Sequence, residues 1–241
     1  MSQKQWTVGQ LTQAWAQQQN LPCLYLQQTG STNGLAKEKL YPLIITDHQT
    51  EGRGRSDHTW QDVQGANLLS SWSFQLKSPP SPVLSLRIGY ALFQSLQSSF
   101  PQKKWSLKAP NDIYLEDKKV AGLLIEIFQI DQQIRLIVGL GLNVFADPKL
   151  PTSTHLESPL IFERADELQT FQNQWQQFLQ FWFQALSDLV QNKRPYELEI
   201  EERRDILQAL NLFPGLSSPY TEISPEADLW IGTKKIPWLD L

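Results

Sequence analysis

The sequence predicts a mixed α/β fold of the α+β class, in which a largely antiparallel or mixed sheet is flanked by helices. Apolar runs of strand length, separated by turn residues, occupy much of the chain between residues 21 and 145. Directly joined strand pairs, such as 120–130 and 134–145, outnumber strand–helix–strand units. From Arg164 onward the apolar residues recur at helical spacing. These observations indicate one sheet followed by a long helix.

Each element follows from its own periodicity and its boundary residues. Pro22 opens the first strand, and the cluster Ser31-Thr32-Asn33 is typical of a helix N-cap. Pro110 separates two strands because proline cannot donate a ladder hydrogen bond. The predicted elements, in chain order, are helix 11–19, strand 21–26, helix 35–40, strand 43–46, strand 67–76, helix 84–98, strands 105–107 and 112–115, strands 120–130 and 134–145 with a turn at 131–133, and a helical region from 164.

The C-terminal third divides into an aromatic helix and a short, irregular end. The helix carries a stripe of apolar residues that we interpret as core-facing: Leu168, Phe171, Trp175, Phe178, Trp182 and Leu186. The last thirty residues contain Pro214, Gly215 and Pro225 and only short strand-like pieces. We therefore expect a main domain over 1–190 and a short C-terminal segment over 191–241, which would be a reduced small β domain.

Composition describes an ordinary globular protein and limits its partners. The chain has 241 residues, 41% of them hydrophobic and 19% charged, and a net charge of -4. The acidic balance argues against a dedicated nucleic-acid binder, although a local basic pocket remains compatible with it. The single cysteine, Cys23, excludes a disulfide or thiolate metal cluster within the chain. The polar N-terminus and short apolar runs predict a soluble cytoplasmic protein without a membrane partner.

The strongest local motif is Gly52-Arg53-Gly54-Arg55 in the polar loop 47–59. Glycines let backbone N–H groups approach an anion, and each arginine can bind phosphate oxygens with two parallel hydrogen bonds. Taken alone, such a motif is more often a solvated, flexible basic loop than a phosphate-binding element.

A second motif joins Lys108-Ala109-Pro110-Asn111-Asp112 to Lys119-Val120-Ala121-Gly122. If Glu116-Asp117 form a two-residue turn, Tyr114 lies opposite Lys119, and Asp112, Tyr114 and Lys119 share one face of a hairpin. The pair Asp112 and Lys119 could then bind a ligand or form a structural ion pair. Gly122 removes a side chain from a strand interior, which often marks the close approach of a ligand.

Several other site types have no support in the sequence. No P-loop motif occurs, and the segment from Gly139 to Asn143 lacks the third glycine and the following helix of a dinucleotide fingerprint. Three histidines and one cysteine show no zinc-ligand spacing, so we predict no protein-held metal.

Taken together, the motifs occur in an order and spacing that resemble the biotin protein ligases. The resemblance covers roughly residues 25 to 145. It rests on Ser31-Thr32-Asn33, Gln49 before Gly52-Arg53-Gly54-Arg55, Trp60, Gly65-Ala66-Asn67-Leu68, Lys108 with Pro110-Asn111-Asp112, Lys119-Val120-Ala121-Gly122 and Gly139-Leu140-Gly141-Leu142-Asn143.

The resemblance implies a fold related to the catalytic core of class II aminoacyl-tRNA synthetases and a biotin–[biotin carboxyl carrier protein] ligase activity. Biotin and ATP with Mg²⁺ would form biotinyl-5′-AMP, and biotin would pass to a lysine of the carrier protein of acetyl-CoA carboxylase. The catalytic residues would be Lys119, Arg53 and Asp112. The binding residues would be Ser31, Thr32, Asn33, Gln49, Gly52, Arg53, Gly54, Arg55, Trp60, Lys108, Asn111, Gly122, Gly139, Gly141 and Asn143.

The resemblance also implies a role for each group. Ser31-Thr32-Asn33 and Gln49 would line the biotin ring pocket, and Arg53-Gly54-Arg55 would close over the activated intermediate. Lys119 would contact the biotin carboxyl and the nucleotide phosphate, and Asp112 would sit where the acceptor lysine arrives. Gly122, Gly139 and Gly141 would leave room for the ligand. Asn143 would be a polar group behind the residues that contact the ligand.

The chain departs from the family pattern at several positions. Ala109 replaces a common tryptophan, Glu51 replaces a small residue, and Ser56-Asp57-His58 replace further basic residues. We expect a loop that is mobile without ligand and retains the intermediate less tightly. About 25 residues precede the matched core, so we expect no winged-helix domain and no DNA partner. A lipoate or octanoate transferase and a non-catalytic biotin-binding module stay open as alternatives.

Overall fold

The computed structural model describes residues 6–56, 58–81, 83–130, 133–146, 150–158, 164–191 and 196–238. Its helices are α1 (Val8–Gln18), α2 (Thr32–Glu38), α3 (Leu84–Ser99), α4 (Ala165–Gln191) and α5 (Ile200–Asn211). Its strands are β1 (Cys23–Leu26), β2 (Leu43–Thr46), β3 (Asn67–Leu76), β4 (Trp105–Lys108), β5 (Asp112–Leu115), β6 (Lys118–Ile130), β7 (Gln133–Asn143), β8 (Glu222–Ile223), β9 (Leu229–Ile231) and β10 (Lys234–Ile236).

A seven-stranded mixed sheet with the order β1-β2-β3-β7-β6-β5-β4 forms the centre of the fold. Strand β1 runs parallel to β2, and every other neighbouring pair in this sheet is antiparallel. The predicted mixed sheet is therefore confirmed. The predicted β6–β7 pairing is also confirmed, while residues 131–132 of its turn lie outside the described residues.

Helices cover both faces of this sheet, because its strand side chains alternate between two hydrophobic clusters. Leu43 and Ile45 belong to the main core, to which α1, α3 and α4 contribute. Ile44, which points the other way, packs with Ala36 of α2 and Ile137 of β7. Five of the six residues of the predicted stripe of α4 are buried in the main core, Phe171, Trp175, Phe178, Trp182 and Leu186, where each such side chain contributes roughly 1.5–3 kcal/mol, whereas Leu168 is only half-buried.

Helix α2 begins earlier than the predicted 35–40, and the difference shapes the site. Ser31 has extended backbone angles, and its hydroxyl accepts a hydrogen bond from the Gly34 N–H at 3.4 Å, so Ser31 is the N-cap. Thr32 and Asn33 are consequently helical residues of the first turn, and both are buried. A cluster expected to precede the helix instead forms its start and faces the sheet.

The C-terminal part contains one helix that the sequence interpretation missed. Helix α5 buries only Ile206, Ala209 and Leu210, so its apolar pattern is too sparse to recognise among charged residues. The short strands predicted near the end are present as the three-stranded sheet β8–β10. Ile223 and Leu229 of this sheet belong to the main buried cluster, and the division of the chain near residue 190 stays a prediction. In the described part of the chain, no helix is long and apolar enough to span a membrane.

Candidate functional site

A cavity of about 370 Å³ opens on the sheet face that carries α2. Its floor is formed by the central strands β6 and β7, the first turn of α2 lies on one side, and the β4–β5 connection lies on the other. The loop between β2 and β3 covers it through residues 53–56 and 58–60. This size and position suit a small ligand that must be enclosed on several sides.

Glycines on one face of β6 and β7 give the floor its depth. Gly122 pairs with Gly141 across the two strands. A Cβ atom at Gly141 would lie 2.5 Å from the Trp60 ring, and one at Gly139 would lie 2.4 Å from Oδ1 of Asn33. The side chains of Trp60 and Asn33 therefore pack directly on these two glycines, which also line the cavity, and their role in leaving room for a ligand stays a prediction. A side chain larger than hydrogen at either position would displace the protein's own groups.

The polar side of the cavity is held by hydrogen bonds among neighbouring side chains. Oε1 of Gln49 accepts a hydrogen bond from the backbone N–H of Thr32 at 2.8 Å and lies 3.1 Å from the Thr32 hydroxyl. The Ser71 hydroxyl lies 2.8 Å from the Thr32 hydroxyl and donates to Oδ1 of Asn33 at 2.5 Å. The relative positions of Gln49, Thr32 and Asn33 are therefore set by the protein itself.

Lys119 and Asp112 lie together at the far side of the cavity. The turn Glu116-Asp117 places Tyr114 opposite Lys119, as predicted, and an irregularity between Ile113 and Tyr114 shifts the register beyond it. Lys119 Nζ lies 2.7 Å from Asp112 Oδ1 and 5.7 Å from the centre of the Trp60 ring. About a third of the Lys119 side chain remains exposed, so a ligand can reach it.

The arginine-rich loop forms a narrow hairpin over the cavity. The Gly54 N–H donates to the His58 carbonyl at 2.6 Å, and the Trp60 N–H donates to the Gly52 carbonyl at 3.0 Å. A Cβ at Gly52 would lie 2.5 Å from the Trp60 carbonyl oxygen, so this close pairing requires glycine. Within the described residues no carboxylate forms an ion pair with Arg53, and Asp57 lies outside them.

Lys108 lies at the edge of the cavity against aromatic rings. Its Nζ is 5.6 Å from the centre of the Tyr114 ring and 5.7 Å from that of Phe213, which follows α5. Tyr220 lies close enough for the Lys108 charge to lower the pKa of its hydroxyl, although burial has the larger, raising effect. Phe213 and Tyr220 of the C-terminal part therefore lie around the ammonium group of Lys108. Across the described residues, no cluster of histidine, cysteine and carboxylate side chains could hold a metal.

The sequence matches a known family over the strands that build this cavity. The model of the biotin/lipoate A/B protein ligase family matches residues 23–143, which is half of the chain. The chain belongs to this family. The matched range begins at β1 and ends at β7, so it includes every element that contributes the floor and the loop.

Two curated members of the ligase family illustrate the similarity in sequence. The Escherichia coli bifunctional ligase/repressor BirA is 35% identical over 103 residues, which are 42% of this chain and 32% of that protein. The Mycobacterium tuberculosis biotin–[acetyl-CoA-carboxylase] ligase is 33% identical over 134 residues, 51% of this chain and 49% of that protein. The matched segment thus spans between a third and a half of these relatives.

Solved structures of ligases resemble the chain over almost its whole length. Biotin protein ligase from Aquifex aeolicus in complex with biotin and ATP has a TM-score of 0.64 at 22% identity and covers 90% of this chain and 95% of that chain. Biotin acetyl coenzyme A carboxylase synthetase from Helicobacter pylori, with bound biotinylated ATP, has a TM-score of 0.56 at 19% identity and covers 90% and 99%. The ligase fold is therefore confirmed.

The structure of this ligase-family chain brings most of the predicted site residues together. Those that line the cavity are Ser31, Thr32, Asn33, Gln49, Arg53, Gly54, Arg55, Trp60, Lys108, Asn111, Asp112, Lys119, Gly122, Gly139 and Gly141. Gly52 lies behind the lining, where it packs on the backbone of Trp60. Asn143 is buried outside the cavity, where it accepts a hydrogen bond from Asn67 and donates one to the Thr154 carbonyl. These contacts connect the end of β7 to the start of β3 and to the segment around Thr154.

Some residues that form the site carried a weak signal in the sequence, and others carried none. Ser71 is a polar residue in the middle of a buried strand, and that pattern could have marked it. Phe213 lies about a hundred residues from Lys108 in the sequence, and no local pattern connects them.

Proposed function

We propose that this chain activates biotin with ATP and transfers it to a lysine of the biotin carboxyl carrier protein of acetyl-CoA carboxylase. The observation that carries the proposal is one cavity in which Arg53, Lys119 and Asp112 meet beside an enclosed polar pocket. The curated relatives named above are biotin ligases, one named for acetyl-CoA carboxylase, and this supports biotin over lipoate within the family.

In the first step, an oxygen of the biotin carboxylate attacks the α-phosphorus of ATP. The bond from that phosphorus to the bridging oxygen breaks, pyrophosphate leaves, and biotinyl-5′-AMP forms. Negative charge grows on the non-bridging oxygens, where Lys119 and Arg53 supply positive charge from fixed positions. Lys119 can exchange its contact with Asp112 for these oxygens because both ends of the ion pair remain partly exposed.

In the second step, the carrier lysine attacks the carbonyl carbon of the mixed anhydride, and AMP leaves. The attacking amine must first lose a proton. Asp112 lies at the cavity wall beside Lys119, and its carboxylate can orient the incoming ammonium and accept that proton. Release of Lys119 from Asp112 in the first step would leave this carboxylate available for the second.

Mg²⁺ would enter with the nucleotide. The described residues contain no carboxylate and histidine cluster suited to hold the ion by themselves, and phosphate oxygens bind Mg²⁺ readily. The ion would neutralise the departing pyrophosphate, while Arg53 and Lys119 act at the α-phosphate.

The test is an incubation with biotin, MgATP and a biotin carrier domain, followed by intact-mass measurement of the carrier. We expect a mass increase of one biotinyl group, and no increase for a carrier whose acceptor lysine is arginine. Lipoate replaces biotin in a parallel reaction. Preferential lipoylation would identify a lipoate transferase, and biotin binding without pyrophosphate release would identify a non-catalytic module.

A further inference from the structure

A continuous series of hydrogen-bonded residues, linked through side chains and two backbone N–H groups, runs beneath the polar side of the cavity. We call it the floor network. Its members, in order of contact, are His48, Asp62, Gln49, Thr32, Ser71, Asn33, Glu126 and Lys37. Only Thr32, Asn33 and Gln49 line the cavity, and both ends of the network reach partly exposed side chains.

The middle of the network is saturated by the protein. Asn33 is 4% exposed. Its Nδ2 donates to the Leu124 carbonyl at 3.1 Å and to Glu126 Oε2 at 2.8 Å, and its Oδ1 accepts from Ser71. The amide of Asn33 therefore has both ends occupied before any ligand arrives. Its place on Gly139 makes it part of the wall that holds Thr32, through their shared partner Ser71.

Asp62 anchors one end of the network from behind the loop. Its side chain is 1% exposed, with Oδ1 2.7 Å from Nδ1 of His48 and Oδ2 accepting the backbone N–H of Gln49 at 3.1 Å. One carboxylate thus connects the start of the loop between β2 and β3, at residues 48–49, to the end of that loop at residue 62. Losing it would leave the Gln49 backbone without the acceptor that fixes its position.

Glu126 anchors the other end from strand β6. Its Oε2 accepts from Asn33, and its Oε1 lies 2.6 Å from Nζ of Lys37 on helix α2. Since Lys37 and Asn33 both belong to α2, this carboxylate holds two turns of the helix against the sheet. A loss of Glu126 would remove one of the two acceptors of the Asn33 Nδ2 group, leaving the Leu124 carbonyl, and would loosen the hold of Asn33 on Ser71 and Thr32.

We propose that Asp62 and Glu126, neither of which lines the cavity, are positioning residues for the ring system of biotin, an inference that rests on the proposed function. Oε1 of Gln49 is occupied by Thr32, which leaves Nε2 as the group of that amide that can donate to a ligand oxygen. Asp62 fixes the main chain of Gln49 on one side of the polar pocket. Glu126 fixes the side chain of Asn33 on the other side. The contacts of Asp62 and Glu126 within the described residues are with His48, Gln49, Asn33 and Lys37, and not with Arg53 or Lys119, so the pair should act on binding of the ring system.

The kinetic test compares four variants with the wild type in a pyrophosphate-release assay: Asp62→Ala, Asp62→Asn, Glu126→Ala and Glu126→Gln. We expect each alanine variant to raise KM for biotin about tenfold, since the loss of one hydrogen bond to a charged group has that order of effect. The kcat and the KM for ATP should stay near wild-type values, because uniform ligand binding is weakened while the transition-state contacts remain. The amide variants keep one acceptor oxygen and should fall between.

Glu157→Gln provides the matched control. Glu157 pairs with Lys103 at 3.6 Å and is 33% exposed, close to the 27% of Glu126, but it touches no member of the floor network. The Glu157→Gln variant should have the same KM for biotin as the wild type. An unchanged KM for biotin in folded Asp62 and Glu126 variants, or an equal loss in kcat, would overturn the positioning role. The amide variants decide the matter if an alanine variant fails to fold.

A second measurement separates this proposal from the proposed function. Amide hydrogen exchange of the segment 47–53 should be faster in Asp62→Ala than in the wild type, because the Gln49 N–H loses its acceptor. If the wild type releases no pyrophosphate with biotin, the proposed function fails, while exchange still reports on the anchor. Equal exchange in both proteins would show that Asp62 does not fix Gln49.

Discussion

The polar floor and the cationic rim of the cavity differ in how their polar groups are satisfied. In the floor network the protein pairs its own groups, as in Asn33, whose amide has three partners within the protein. At the rim, Lys108 faces aromatic rings, and Arg53 has no carboxylate partner in the described part of the chain. Lys119 is the exception, through Asp112. The shape of the floor is therefore fixed by hydrogen bonds within the protein. The rim keeps its positive charge available for an anion, although the chain has a net charge of -4.

The largest effect is expected from removing a rim cation. Lys119→Ala should slow biotinyl-AMP formation by about 10²–10³, because one fixed charge at the reacting phosphate is lost. The melting temperature should change little, since the ion pair with Asp112 is partly exposed. Pyrophosphate release measures the first quantity, and thermal unfolding the second. Lys103→Ala, which breaks an ion pair elsewhere, is the control, and near-normal rates in Lys119→Ala would leave the ion pair with a structural role only.

A floor substitution should cost stability as well as ligand affinity. Gly139→Ala would place a Cβ 2.4 Å from Oδ1 of Asn33, so the network must shift. We expect a loss of about 1–3 kcal/mol in the free energy of unfolding. Gly89→Ala in α3 is the matched control, because its Cβ would find its nearest neighbour at an ordinary 3.6 Å. Urea unfolding of both variants measures the difference, and equal stabilities would contradict a rigid floor.

A smaller effect is expected where a predicted binding residue lies outside the cavity. Asn143→Ala removes hydrogen bonds to Asn67 and to the Thr154 carbonyl. Stability should fall by about 1 kcal/mol. Turnover per folded molecule should be unchanged, because neither the floor nor the rim loses a group. Active-site titration combined with unfolding curves tests this, and a selective rise in the KM for biotin would assign Asn143 to ligand binding.

The smallest effect concerns the loop that carries the rim arginines. The tip of the hairpin is exposed, so trypsin can cleave after Arg53 or Arg55 in the free protein. Because the hairpin is held by several backbone hydrogen bonds, we expect this cleavage to be slow. Adding biotin and MgATP should slow that cleavage further as phosphate oxygens bind the guanidinium groups. The time course is followed by mass spectrometry, with cleavage after Lys39 as an internal reference. Equal rates with and without ligands would mean that the loop does not respond to them.

The sequence by itself determined the parts of this protein that depend on short stretches of chain. A two-residue turn at Glu116-Asp117 left little choice for the pairing of β5 and β6, so the meeting of Asp112 and Lys119 could be predicted. The loop motif from Gly52 to Arg55 likewise predicted a cationic loop that can approach an anion, and Arg53, Gly54 and Arg55 do line the cavity. In both cases the interacting groups lie within a few residues of one another.

Only the tertiary structure decided which distant groups share the floor and the rim. Asn33 meets Glu126, 93 residues away, because α2 docks on the centre of the sheet. Trp60 rests on Gly141 because β3 and β7 are neighbours, and Phe213 reaches Lys108 because α5 packs against β4. Such contacts depend on how whole elements bury their apolar faces together, which no local spacing encodes. Gly139 and Gly141 of β7 line the cavity, and the packing of Asn33 and Trp60 on them could not be seen from their spacing in the strand.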